Sequence, residues 1–339
     1  MKTEKSEITL KELARLCNLS VNTISRALND REGVNPETRR QIKELAQKYH
    51  YRPNMMARTM RGAPNNLVGV LLCDLTDGFF VRLLSGVEEE LTRVGMPILI
   101  GNANEQPRRQ RECLDLFLSY HCKNIIIAPV AGDTSFIDFL KAEGVNFVIA
   151  DRTVASATDC NQVDINIRRD AFRAVEHLIR CGHRRIGIIN QLSDISTETD
   201  RTAGYRDALE AYGISEDPDL ICHCRTGHEV SDVCRALMRR QQPPTALFLA
   251  KDTLAMDAVS TLYSLGKHIP EDISVLIYGN PDWATFQRPW LSCMQRSIQD
   301  IGRTSARILI ERMGAPEGLE PLHISFDSNL LLRDSIRIL

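Results

Sequence analysis

"ITLKELARLCNLSVNTISRALN", Ile8 to Asn29, carries the signals of two short helices joined by a tight turn. Thr9, followed three residues later by Glu12, is a capping box, in which each side chain satisfies a backbone N–H that the helix leaves open. Leu10, Leu13, Ala14 and, one turn on, Cys17 recur at helical spacing and make one apolar face. "NLS" stops that helix, and Ser20 can cap the next. In this second helix Ile24, Ala27 and Leu28 turn inward, whereas Val21, Asn22, Ser25, Arg26 and Asn29 stay on the other side. Further out, "VNPETRRQIKELAQKYHY" (Val34–Tyr51) predicts a third helix with Asn35 as cap, Pro36 at its first position and a core stripe of Ile42, Leu45, Ala46 and Tyr49. Two helices across a short turn, the second with an outward polar row, fit a helix-turn-helix, whose second helix lies in the major groove of DNA. Asn and Arg suit bidentate contacts with base edges. Spacing alone also fits an ordinary three-helix bundle.

Charge sets this end apart from the rest. Residues 1–62 hold 13 Lys+Arg against 7 Asp+Glu, a net of +6; taken from the whole-chain 42 and 44, that leaves 29 against 37, a net of −8. A small basic end on a larger acidic body predicts that only the end meets a polyanion. With 339 residues, 43% of them hydrophobic, the chain has room for two or three domains of ~150 residues with real cores. No apolar run approaches the ~20 residues of a membrane span, and "MKTEKSEITL" lacks a signal-peptide core. The ten cysteines lie without a framework spacing. Together these predict a cytoplasmic protein with reduced thiols and no membrane partner.

The N-terminal motifs resemble the DNA-binding headpiece of the lactose-repressor/galactose-repressor family. The pattern S-x-x-T-[VI]-S-R-x-L-N is carried by Ser20, Thr23, Ile24, Ser25, Arg26, Leu28 and Asn29, and Y-x-P-N-x-x-A-R by Tyr51, Pro53, Asn54, Ala57 and Arg58. The resemblance implies that Val21, Asn22 and Arg26 read bases. It places Thr9, Leu10, Ser20, Thr23, Ser25, Asn29, Thr38, Tyr51 and Asn54 against DNA, mostly its backbone. Val21 can meet a thymine methyl but cannot hydrogen-bond a base. In "YRPNMMARTMRG" (Tyr51–Gly62), Asn54 can cap a helix that Gly62 and Pro64 stop, too short to persist alone. The resemblance makes 54–62 a hinge helix that enters the minor groove, with Ala57 letting two copies approach and Met60 as the wedge between base steps.

From Leu67 onward, short apolar runs ("LVGVLLC", "MPILIG", "NIIIAP", "NFVIA", "RIGIIN", "ALFLA", "ISVLIY") alternate with amphipathic helices. Five of those helices end at a glycine: Gly95, Gly144, Gly182, Gly213 and Gly266. Such alternation gives an α/β fold with parallel sheets, and ligands bind beyond the carboxyl ends of the strands. The resemblance implies more: a two-lobed core like the periplasmic sugar-binding proteins, crossed three times by the chain. The expected plan is a helix-turn-helix headpiece at 1–53, the hinge at 54–62 and an effector-binding and dimerisation core at 63–339. Lobe 1 takes about 66–163 and 294–322, and lobe 2 about 164–293 and 323–339. "NLLLRDS" (Asn329–Ser335) resembles the family's C-terminal signature, and no leucine heptads follow it, so a homodimer is expected.

By the same resemblance the effector would meet Phe79, Phe80, Asp151, Arg152 and Arg201, an arginine fork being suited to ligand oxygens. Two positions depart from the family pattern. Lys251 stands where Asn is common, and Gly279, followed by Asn280, stands where Asp is usual. Both changes shift charge toward positive, which predicts an anionic effector such as a sugar acid or sugar phosphate, with Lys251 and Asn280 in the pocket. The bland alternative is that Lys251 pairs with Asp77 or Asp151. Trp283 and Trp290 suit core packing better than sugar stacking. "CHCRTGH" (Cys222–His228) with Cys234 lacks the usual zinc spacing, so no metal and no cofactor are expected. No G-x-S-x-G, P-loop or H-E-x-x-H occurs, and a DNA-binding headpiece would be idle in an enzyme. The combined expectation is a ligand-responsive repressor that binds a pseudo-palindromic operator on double-stranded DNA.

Overall fold

A computed structural model describes residues 8–28, 30–51, 65–154, 156–191, 196–314 and 319–339. The chain separates into two compact units, Met1–Asn65 and Asn66–Leu339.

The first unit is built on α1 (Leu10–Cys17), α2 (Val21–Leu28) and α3 (Pro36–Lys48). The capping box forms: the Thr9 N–H donates to Glu12 Oε2 at 2.6 Å and the Glu12 N–H to Thr9 Oγ1 at 3.3 Å. Ser20 Oγ accepts from the Thr23 N–H at 3.0 Å, closing the first turn of α2. Leu13, Ala14, Ile24, Ala27, Ile42 and Ala46 are the buried core, with Leu10, Cys17, Leu28, Leu45 and Tyr51 packed on it. Tyr49 is a correction: it caps α3 and is exposed, and Tyr51 takes the place expected of it.

The body begins with β1 (Val68–Leu72), α4 (Gly78–Arg93), β2 (Ile98–Asn102), α5 (Pro107–Ser119), β3 (Asn124–Ile127), α6 (Ser135–Ala142), β4 (Asn146–Asp151) and β5 (Asn161–Ile165). It then passes to α7 (Ile167–Arg180), β6 (Ile186–Gln191), α8 (Ser196–Ala211), β7 (Ile221–Cys224), α9 (Gly227–Met238), β8 (Ala246–Leu249), α10 (Asp252–Ser264), β9 (Ser274–Tyr278) and β10 (Ser292–Gln295). It returns for α11 (Ile298–Arg312) and β11 (His323–Phe326) and ends on β12 (Asn329–Leu331). Two six-stranded sheets result, ordered β2-β1-β3-β4-β5-β11 and β7-β6-β8-β9-β10-β12. Among the described residues all strand pairings are parallel except β10 with β12. The pairing of β11 with β5 puts 323–326 in the first lobe. The third passage between lobes therefore falls at 327–328, not at 322–323 as expected.

The helix that follows each of the first two passages is seated backbone to backbone. A Cβ at Gly86 of α4 would lie 2.1 Å from the Gln299 carbonyl oxygen, and one at Gly302 of α11 2.1 Å from that of Leu83. In the second lobe a Cβ at Gly204 of α8 would lie 2.1 Å from the Arg168 oxygen of α7. Packing this close leaves no room for a side chain at these three positions. The five helix-ending glycines all adopt positive φ, between 61° and 96°. All ten cysteines are free thiols, and no helix among the described residues is long and apolar enough to cross a membrane.

Candidate functional site

A cavity of about 500 Å³ opens between the lobes, at the carboxyl ends of the strands of both sheets. That is the place an open parallel sheet offers a ligand, because the strand-to-helix loops of both lobes converge there. The first lobe supplies Asp74, Asp77, Phe79 and Phe80 after β1, Glu105 after β2, Val130 after β3, and Asp151 and Arg152 at the end of β4. The second supplies Gln191, Glu198, Arg201, Lys251, Asp252 and Tyr278, and Arg296 enters from the second passage.

Six of the seven expected effector residues are brought together: Phe79, Phe80, Asp151, Arg152, Arg201 and Lys251. Asn280 is not among them. Its Oδ1 accepts from Arg333 Nη2 at 3.0 Å, within the second lobe. Phe79 and Phe80 meet edge to face with centroids 5.1 Å apart. Arg296 lies over Phe79 at 4.8 Å, and Arg201 over Tyr278 at 4.9 Å. The rings and the guanidinium planes thus hold one another in fixed orientations.

The charges that line the cavity offer the expected anion no net attraction. Among the described residues, four cations line the cavity, Arg152, Arg201, Lys251 and Arg296, against six carboxylates: Asp74, Asp77, Glu105, Asp151, Glu198 and Asp252. Each cation already has an acid. Arg152 Nη1 donates to Glu105 Oε2 at 2.9 Å, Arg201 Nη1 to Glu198 Oε2 at 2.5 Å, and Arg296 Nη2 to Asp252 Oδ2 at 2.8 Å. Lys251 Nζ sits 3.9 Å from Asp77 and 3.8 Å from Glu198. The lysine that suggested an anion is therefore offset by its neighbours. The missing aspartate has a steric cause as well. Gly279 has φ +117°, and a Cβ there would lie 2.6 Å from Asp252 Oδ2, so the glycine makes room for the Asp252–Arg296 pair.

Two carboxylates remain without a cation. Asp74 Oδ1 is satisfied locally by the Thr76 N–H and hydroxyl at 2.9 and 2.8 Å. Asp151 is 7% exposed and makes no side-chain hydrogen bond to any described residue. Its φ of +70° is a conformation that Asp tolerates at a cost of ~1–2 kcal/mol. Burial pushes its carboxyl up to about 6, against the pull of Arg152, Arg296 and Arg201. A buried acceptor, strained and unpaired, on the wall of a polar cavity is suited to a ligand's hydroxyl or other donor.

Sequence reasoning missed Glu105 and Arg296, and also Glu198, which takes the nearest arginine, Arg201, one helical turn away. The i, i+3 spacing of Glu198 and Arg201 was a readable signal, as was the position of Glu105 after an apolar strand. Arg296 had none: it follows a four-residue strand whose place in the sheet is set only by pairing.

On the first unit, Val21, Asn22 and Arg26 are exposed along one side of α2, and Thr23 and Ser25 are partly so. Arg26 Nε donates to the Glu32 carbonyl at 3.0 Å, and a Cβ at Gly33, where φ is +88°, would come 3.1 Å from Arg26 Nη2. The glycine lets the arginine lie along the turn that follows α2. Thr9 and Ser20 cap their helices, Thr38 is half-buried, and Tyr51 packs on the core. Leu10 also packs on the core, which leaves its backbone N–H in the first turn of α1 as its polar group there. Asn29, Asn54, Ala57 and Met60 lie outside the described residues. Among the described residues no group of His, Cys, Asp and Glu could hold a metal ion. In the Cys222–Cys234 region burial pushes the Cys224 and Cys234 thiols up to about 11 and about 12.

Comparison with known proteins gives two matching descriptions. Residues 9–54 match "Bacterial regulatory proteins, lacI family", and residues 175–336 match "Periplasmic binding protein-like domain". The HTH-type transcriptional repressor CytR of Escherichia coli is 28% identical over all of this chain and all of its own. A LacI family transcriptional regulator from Enterococcus faecium, solved with bound ribose, is 26% identical, with a TM-score of 0.71 over 80% of this chain and 99% of that one. The lac repressor dimer bound to operator and an anti-inducer has the same fold, with a TM-score of 0.85 and 19% identity over 98% and 100%.

Proposed function

Because this chain belongs to the lacI family of bacterial regulatory proteins, we propose that it represses transcription as a homodimer on a pseudo-palindromic operator and answers to an uncharged, polyhydroxylated effector. Headpieces at 1–53 would each read one half-site through Val21, Asn22 and Arg26, positioned by phosphate contacts from the capped helix ends. The hinge at 54–62 would meet its copy at the operator's centre through Ala57 and Met60. The body from residue 63 onward would sense the ligand.

The observation that carries the effector reading is Asp151: buried, unpaired and on the cavity wall, opposite arginines whose own charges are matched. A sugar supplies several hydroxyls that donate to carboxylates and accept from guanidiniums at no cost in buried charge. The ribose bound by the Enterococcus relative supports the same chemistry. Lys251–Asp77 at 3.9 Å and Arg82–Asp282 at 3.1 Å both span the cleft, so a ligand that draws the lobes together is favoured by contacts already in place. Its effect on DNA would follow as a population shift between lobe arrangements.

A thermal-shift screen of neutral sugars against their uronic acids and phosphates tests the effector class. Neutral members are expected to raise the melting temperature of the body. Stabilisation by the acids alone would restore the anionic reading and overturn this one. Selection from randomised duplexes tests the DNA half: a two-fold-related pair of half-sites is expected, bound with a steep salt dependence.

A further inference from the structure

We infer that the effector consists of two joined units, and that the second, a sugar ring, sits in a side chamber against Trp283; this rests on the polyol reading of the main cavity. The chamber is open to solvent, has a volume of about 190 Å³ and borders the main cavity, with which it shares Asp77, Phe79, Asp252 and Arg296. Alone it falls below the ~300 Å³ of a self-sufficient small-molecule site, whereas it suits one extra unit of a larger ligand.

Three features say what that unit is. Trp283 packs only partly on the second lobe's core and its remaining surface lines the chamber. An indole face of this kind accepts the apolar face of a sugar ring. Trp290, by contrast, is on the surface with Arg288 over its ring at 4.6 Å. Second, Arg82 and Asp282, paired at 3.1 Å across the lobes, line the same chamber and present a donor and an acceptor to ring hydroxyls. Third, the chamber has open space beside Gly78, which lines it: a Cβ there would meet nothing within 4 Å. The chamber holds Asp77, Asp252 and Asp282 against Arg82 and Arg296, so it gives an anionic unit no net attraction. The Asp252–Arg296 pair lines both spaces and so would face both units of the ligand.

The chain has two tryptophans, so a Trp290→Phe protein reports on Trp283 alone. In that full-length protein, D-glucose, D-galactose and D-ribose are to be titrated beside cellobiose, maltose, lactose, sucrose and trehalose, following Trp283 emission and the heat of binding. At least one disaccharide should bind about tenfold tighter than its component sugars, as one aromatic stacking contact provides, and should shift the emission. Trp283→Ala should remove that advantage and leave monosaccharide binding intact. Gly78→Leu, which adds bulk where space is open, should do the same without disturbing the core. A monosaccharide that binds as tightly as every disaccharide containing it would overturn the second subsite while leaving the polyol reading in place. So would disaccharide binding that neither moves the emission nor responds to Gly78→Leu. If no sugar of either size binds, the parent reading fails and this one with it.

Discussion

Replacing Asp151 by Asn should stabilise the free protein and remove its ligand response. The Asp151 carboxyl titrates at about 6 in the folded chain and near 3.8 when unfolded, because burial disfavours its charge. A raised folded value means that the group's contribution to stability is fully present below 3.8 and is lost as pH rises through about 6. At ~1.4 kcal/mol per pH unit, the loss by pH 7 reaches about 3 kcal/mol. Asn keeps the shape and the left-handed backbone but has no charge to bury. For a body the size of Asn66–Leu339, with an unfolding entropy of ~0.6 kcal/mol/K, the variant should melt about 5 °C higher at pH 7. The gap should close on acidification and vanish near pH 4. Paired melts of the two proteins from pH 4 to pH 8 provide the assay, since other titrations cancel in the difference. A variant that melts lower than the parent at pH 7, or a gap that does not change with pH, would refute the idea that Asp151 is ionised at a cost in the cavity wall.

Other outcomes follow from the same geometry. Arg201→Ala should cost about 3 kcal/mol by leaving Glu198, 3% exposed, without its main partner, and should abolish sugar binding; denaturant titration and calorimetry check both. Gly279→Ala should lower stability by ~1–3 kcal/mol, since φ is +117° and its Cβ would strike Asp252; a melting temperature equal to the parent's would contradict that. Arg26→Ala should weaken the selected operator by about 1–3 kcal/mol and relax preference at one base pair in each half-site, read by competition binding. Met60→Ala should weaken operator binding and bending while leaving effector binding intact, whereas Met60→Leu should be tolerated; unchanged bending would remove the wedge role.

What was legible in the sequence was local. Capping, helical period and the glycine stops are written within a few residues of one another, so α1 to α3 and the apolar strands could be read directly. β5 escaped because "NQVDI" buries Gln162 and Asp164, which look like loop residues until their partners are known. Those partners come from other elements: the Val154 N–H and Ala157 carbonyl serve Gln162, and Thr153, His323 and Ser325 donate to Asp164. The cavity followed the same division. Residues at strand ends could be named, but the sign of the pocket's charge could not. Lys251 and Gly279 look electropositive in isolation; only the fold sets Asp77 and Glu198 beside the lysine and Asp252 in the glycine's space.

The central claim is that one chain couples a sugar-sized ligand to a DNA site. Its most direct test is operator affinity, measured on the duplex selected by the full-length protein, with and without a sugar that stabilises the body. The prediction is a change of about tenfold or more, the size of an ordinary coupling free energy, and no change in Asp151→Asn. An operator affinity that stays the same while the sugar saturates the body would contradict the coupling.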